Sequence, residues 1–225
     1  MSKSPLGLAL GVAAVAVAWN WPSHAQTRAT QNSAPAYSSG GQLVRPADYR
    51  EWVYLTSGLG MTYGPGQAAA RQDHTDVTRP APPPPPPPAP PQLFDNVFVT
   101  PAAYREFMRS GKWPDKTMFI LEIRRAEANV SINNGGRSQG DVVAMEAAVK
   151  DTKRFPDGGW GYFAFDSPKG LTDTASRLPQ TAACYACHKN NTAVENTFVQ
   201  FYPTMFEVAK RLGTVKPTYD PAKKP

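Results

Sequence analysis

Residues 79–92 read RPAPPPPPPPAPPQ, and no other stretch limits so sharply what the chain can fold into. Each proline lacks a backbone N–H and holds φ near one value, so the run excludes helix and central strand and favours polyproline II. At about 3.1 Å per residue, Pro80 to Pro91 can reach roughly 37 Å. Such a run suits a spacer between two domains or a dock for a proline-binding module. The segment before it, about 42–66, is however too short to bury its own core and must pack on residues beyond the run. The run is therefore read as a loop insertion in one domain spanning 42–213.

The ends are set aside on other grounds. Lys3, the apolar run Leu6 to Trp19, and Ser23-His24-Ala25 have the order of a secretory signal, with cleavage after Ala25. The apolar run is shorter than the roughly 20 residues a spanning helix needs, so residues 1–25 predict export, to a periplasm, rather than an anchor. Residues 26–41 are polar and aperiodic and read as a disordered lead, and 214–225 as a tail. The net charge of +6 is mild, falling to +5 with Lys3 removed, and no block of five like charges occurs. A nucleic-acid footprint is thereby excluded, while long-range attraction of acidic redox partners is not.

The remaining sequence predicts an α+β domain, mainly antiparallel β-sheet with packed helices. "PADYREW" (46–52) is echoed by "PAAYREF" (101–107). Each is read as an amphipathic helix opened by proline, the first placing Tyr49, Trp52, Val53 and Thr56 on one face and ending at Gly58. The second is capped by Thr100 and closed by Gly111. Residues 96–99, 117–125, 140–150 and 159–166 are the strand candidates, separated by turn signals; 140–150 also suits a helix. Alternation in 117–125 puts Met118, Ile120, Glu122 and Arg124 on one face and Phe119, Leu121, Ile123 and Arg125 on the other. The chain turns helical around the cysteines after Asp173 and closes with a helix over 203–213.

The only two cysteines lie in Cys184-Tyr185-Ala186-Cys187-His188, the C-x-x-C-H spacing of c-type haem attachment. Each thiol can form a thioether to one porphyrin vinyl group while the next imidazole, His188, reaches the iron. A thioredoxin-like pair would need a βαβ setting that is missing here. A zinc site lacks a fourth ligand beyond His74 or carboxylates, and a disulfide would close only a tiny loop. The reading is one covalently attached haem c, bound by Cys184 and Cys187 with His188 as metal ligand, on a C-terminal helix.

The sixth iron position separates an electron carrier, filled by Met or His, from an open site. His24 leaves with the signal, His74 is read as a solvated loop residue, and Met205 as core. Met61, Met108, Met118 and Met145 remain, and only Met61, in "SGLGMTYGPG", stands in a loop suited to presenting sulfur. An open or weakly ligated iron is favoured, in a pocket of aromatics drawn from Trp160, Phe163 and Phe165. Glu122, Arg124 and Asp166 are the nominees for moving protons or steadying an anion there, with Glu122 and Arg124 taken as the catalytic candidates.

With those residues in view, the chain resembles the cytochrome P-460 family, which includes the cytochrome c′-beta proteins. The resemblance rests on "YREWVYLTSGLGMTYGP", "DNVFVTPAAYREFMRSGKWPDKTMFILEIR", "VKDTKRFPDGGWGYFAF" and "CYACHKNNTAVENTFVQFYPTMFE". It implies a homodimer and a c-type haem with a proximal histidine and an open distal face, which binds nitric oxide or oxidises hydroxylamine. It also implies a lysine cross-linked to the porphyrin in the hydroxylamine-oxidising members, at a position that falls at or next to Leu121. Neither Leu121 nor Glu122 is a lysine, and Lys116 lies in the preceding turn.

Three classes of function are compatible with these residues. The first is an exported monohaem cytochrome acting on nitric oxide, hydroxylamine or another small species, served by a redox partner cytochrome. The second is an electron-transfer cytochrome with methionine as sixth ligand. The third is a haem-free structural or adhesive protein displaying a proline-rich arm.

Overall fold

A computed structural model of the protein describes residues 34–61, 92–128 and 130–222. The expected signal (1–25), the first half of the lead (26–33), His74 and the run from Arg79 to Pro91 lie outside the described residues.

Five strands form one antiparallel meander: β2 (Val53–Leu59), β3 (Leu93–Val99), β4 (Met118–Glu127), β5 (Ser138–Lys150) and β6 (Trp160–Ala164), hydrogen-bonded in that order. β1 (Leu43–Val44) pairs with β9 (Thr174–Ala175), and β7 (Asp166–Ser167) with β8 (Gly170–Leu171). Helices α1 (Pro101–Ser110), α2 (Ala183–Asn191) and α3 (Pro203–Arg211) complete the domain. The expected α+β architecture is observed, and residues 140–150 are strand.

Period-2 alternation gives the sheet two faces, both covered. One cross-strand row, Val53–Val99–Phe119–Ala148–Tyr162, meets a cluster with Ala103 and Phe107 of α1, Trp113, Trp160, Val199, and Met205 and Val208 of α3. The neighbouring row, Tyr54–Phe98–Ile120–Ala147–Phe163, points the other way. Its inner members join Met118, Met145 and Phe165 in a second cluster, closed by Leu43, Tyr49, Trp52, Phe155 and Ala175. We call these the helix face and the ribbon face. Gly161 lets Phe155 lie against the ribbon face: a Cβ there would stand 2.7 Å from the Phe155 ring.

Several expectations are corrected. The first echo segment is one 3-10 turn, Tyr49–Glu51, followed by strand β2, and not a helix. Tyr49 and Trp52 are buried as expected, but the chain extends at Trp52 (φ −78°, ψ 172°) and pairs with β3. "VYLTSGL" is rich in β-branched and aromatic residues that suit cross-strand pairing, and this outweighs the helical spacing of its apolar positions. In the second echo Pro101 opens α1 and Gly111 closes it in the left-handed region (φ 69°), while the Thr100 side chain makes no capping bond.

The domain also reaches beyond 42–213. Tyr37 bridges Leu43, Val44 N–H donates to Ala36 O (2.8 Å), and the Arg154 guanidinium lies 3.6 Å from the Tyr37 ring centroid. One aromatic among polar neighbours has no period, which is why residues 34–41 read as disordered. At the other end Val215 and Tyr219 pack on the helix-face cluster, and Lys216 N–H donates to Ala193 O (2.8 Å). Residues 214–219 thus form a strap rather than a free tail.

Candidate haem site

α2 carries Cys184, Cys187 and His188 at positions i, i+3 and i+4, so all three lie on one side of the helix. No residue of α2 is fully buried, whereas α1 and α3 bury their apolar faces. The two cysteines are not joined to each other in a disulfide, and both are half-buried. Burial, with the Glu146 charge adding to it, pushes the Cys184 thiol up, against the lowered value a reactive redox cysteine needs. Among the described residues no cluster of three or more His, Cys, Asp or Glu side chains could hold a bare metal ion.

Three neighbours orient His188. Its Nδ1 lies 2.8 Å from the Asn196 carbonyl oxygen, which can only accept, so Nδ1 carries the proton and Nε2 keeps its lone pair. That is the state an iron ligand requires. Tyr162 packs on the imidazole with ring centroids 4.5 Å apart, and Phe198 meets it edge-on at 4.7 Å. Burial pushes His188 down to about 4, with the Lys216 charge adding to it against the Asn196 bond, so the imidazole stays neutral across the physiological range. Tyr185, between the cysteines, is held by Arg177 Nε–H (2.9 Å) and donates to Leu178 O (3.2 Å). Two C-terminal carbonyls of α2 also have side-chain partners. Lys189 O accepts from Lys216 Nζ (3.0 Å) and Asn191 O from Gln200 Nε2 (2.8 Å).

A model of the cytochrome P460 family matches residues 46–199, from the turn before β2 to the start of the 3-10 turn Val199–Phe201. The chain belongs to the cytochrome P460 family. No curated protein matches it. Membership makes haem the group to fit here, and the residues of this family member fit it. α2 offers two thiols and a neutral imidazole on its half-buried side, and the Tyr162 hydroxyl, buried beside them, has no hydrogen-bond partner among the described residues.

The sheet sorts the other candidates by face. The helix-face row Thr56–Val97–Leu121–Glu146–Ala164 runs beside the row that ends at Tyr162, so Leu121 and Glu146 share the side of His188. Glu146 was missed because β5 read ambiguously as helix, and its alternation within a strand was the signal available. Glu122 and Arg124 are corrected: Glu122 lies in the ribbon-face row Ser57–Asn96–Glu122–Met145, away from His188. Phe163 and Phe165 also lie on the ribbon face, and of the three expected pocket aromatics only Trp160 is on the helix face. Asp166 is exposed in the β7–β8 ribbon. Met118 and Met145 belong to the ribbon-face core and Met205 to the helix-face core.

Glu122 is instead a structural centre. It is 1% exposed and accepts hydrogen bonds from Tyr49 Oη, Arg50, Arg124 Nε (2.7 Å) and Asn96 Nδ2 (3.2 Å). Desolvation works to raise its carboxyl, but the bonds from Arg124, Tyr49 and Asn96 and the Arg124 charge prevail and hold it below the ordinary range. A depressed folded-state value adds stability above the unfolded carboxylate value of about 4.3 and loses it as pH falls through the folded value. Glu122→Gln should cost on the order of 3 kcal/mol near neutrality. Urea unfolding from neutral to acid pH should show a smaller acid-side loss in the variant than in the parent.

Proposed function

We propose that this protein is an exported, periplasmic monohaem c cytochrome that binds nitric oxide at an open iron position. Cys184 and Cys187 carry the thioether links and His188 the iron. The observation that carries this reading is His188 itself, neutral, its Nδ1 proton given to Asn196 O and its Nε2 free, one residue after a cysteine pair on the same side of α2. Haem iron supplies a binding position for a small diatomic ligand. The chain's own residues hold the proximal imidazole in one tautomer and orientation and line the helix face with Val97, Leu121 and Ala164. Leu121 stands where the resemblance expects the cross-linking lysine of hydroxylamine-oxidising members. An apolar side chain there favours gas binding, whereas Glu146 in the same row offers a proton acceptor that hydroxylamine oxidation would require. A redox partner cytochrome and a second copy of the chain complete the proposed partners. Edge strand β2, with Tyr54 and Leu59 exposed, is open to the latter.

A second reading has one observation in its favour. Gly58 pairs with Asp95 and so faces the helix side, and a Cβ there would stand 2.0 Å from Met61 Sδ. The Met61 thioether thus lies on the same face as His188, where an electron carrier would need its sixth ligand.

One experiment decides among them. The exported protein is made with haem-attachment machinery, beside a Cys184→Ala/Cys187→Ala variant, and spectra are recorded ferric, reduced and with nitric oxide. The proposal expects acid-acetone-resistant haem in the parent only, and a high-spin reduced spectrum that shifts with the gas. A strongly red-shifted reduced Soret band with hydroxylamine turnover would assign the oxidase. A low-spin spectrum lost in Met61→Ala would assign the electron carrier, and absence of haem would leave the adhesive class.

A further inference from the structure

We propose that Lys216, on the strap 214–219, is a positioning residue of the haem site whose positive charge raises the potential of the His188-bound iron; this rests on the His188 assignment above. The strap is anchored independently of any cofactor. Thr214 N–H donates to Ala209 O (2.9 Å), Lys216 N–H to Ala193 O (2.8 Å), and the Tyr219 ring meets Phe206 edge-on at 5.8 Å. These contacts deliver the Lys216 ammonium to the back of α2, where Nζ donates to Lys189 O (3.0 Å) and Thr192 Oγ1 (2.8 Å). Thr192 Oγ1 is in turn within hydrogen-bond distance of His188 O (2.5 Å) and Glu195 O (2.9 Å). Lys216 is therefore two hydrogen bonds from the residue that binds the iron.

Its partners there are a backbone carbonyl and a hydroxyl. Among the described residues no carboxylate pairs with Lys216, and Glu195, whose backbone carbonyl meets Thr192 Oγ1, has its carboxylate held by Lys150 Nζ at 2.8 Å. At two hydrogen bonds from His188, its positive charge places a field on the imidazole and on whatever the imidazole binds. The same field disfavours ferric iron over ferrous, because the ferric centre carries one more positive charge. The tilt toward the ferrous state suits a protein that binds nitric oxide. A helix C-terminus would be capped by a lysine in any case, so the claim concerns the charge and not the cap.

The test uses the full-length holoprotein with Lys216→Gln, Lys216→Met and Lys216→Arg, read by spectroelectrochemical titration and by thermal unfolding. Glutamine keeps a donor without the charge, and arginine keeps the charge. At the parent's midpoint, the ferrous-to-ferric ratio should fall roughly three- to tenfold in Lys216→Gln and Lys216→Met and stay near parental in Lys216→Arg. A parental midpoint in Lys216→Gln, with or without a lower unfolding temperature, would make Lys216 a cap only and overturn the proposal. Failure of the underlying assignment looks different: the His188→Ala spectrum would then match the parent's.

Discussion

If Cys184 and Cys187 carry the haem and His188 the iron, as proposed, His188→Ala should keep the haem attached while the iron loses its protein ligand and the parent's ferrous spectrum disappears. Changing a group that merely orients a metal ligand typically costs about 10–100-fold in metal affinity or activity. Removing the ligand itself should exceed that in nitric oxide response. The loss should be local, because Tyr162 and Phe198 pack on the imidazole but also have other neighbours: Tyr162 meets Tyr185 at 4.8 Å and Phe198 stacks on Phe201 at 5.6 Å. Secondary structure by circular dichroism should be retained, and added imidazole should restore much of the spectrum by filling the space left. An unchanged spectrum in the variant, without imidazole, would remove His188 from the iron.

The largest effect on stability is expected at Trp113. It is 2% exposed, its ring lies 4.2 Å from Phe107 and 4.7 Å from Phe119, and its indole N–H donates to Thr197 Oγ1 at 2.8 Å. Trp113→Ala empties the space between α1 and the helix face and leaves the Thr197 hydroxyl short of a partner. The cost should be about 3–5 kcal/mol, a drop of roughly 10 °C in unfolding temperature for a domain of this size. The effect should also reach the cofactor. Trp113 N–H donates to Glu195 Oε1 (3.2 Å), one residue before the carbonyl that holds His188 and two before Thr197. Urea unfolding measures the first part and the ferrous spectrum the second. Trp113→Phe keeps most of the buried area and should cost clearly less, whereas equal costs in both variants would mean that the indole hydrogen bond, not packing, dominates.

The cysteine motif and the meander were legible for the same reason: each is written in local spacing. C-x-x-C-H needs five consecutive residues, and the alternation in 117–125 names both faces of β4 without any partner strand. What a residue faces is a different matter. Glu122 and Glu146 are both acids in β-strands, yet one lies on the ribbon face and the other beside His188, because register pairs Leu121, not Glu122, with Glu146. Period-2 parity likewise separates Tyr162, which touches the imidazole, from Phe163, which does not. The echo at 46–52 misled because its apolar spacing fits a helix, and only pairing with β3 shows the strand that comes after it. The Asn196 bond to His188 was not readable at all, since a backbone carbonyl has no residue-specific signal.

The strands on either side of the proline-rich insertion are next neighbours in the sheet. Leu59 stands opposite Phe94, and Gly60 N–H donates to Leu93 O at 2.9 Å. The described chain therefore ends and resumes at one point of the sheet, so the strand order does not depend on the number of residues between. Loop-closure entropy grows only logarithmically, by about 0.6 kcal/mol per doubling of a flexible loop. The connection between β2 and β3 is thus a place where the chain can gain or lose many residues for little free energy, while the face that holds His188 keeps its register.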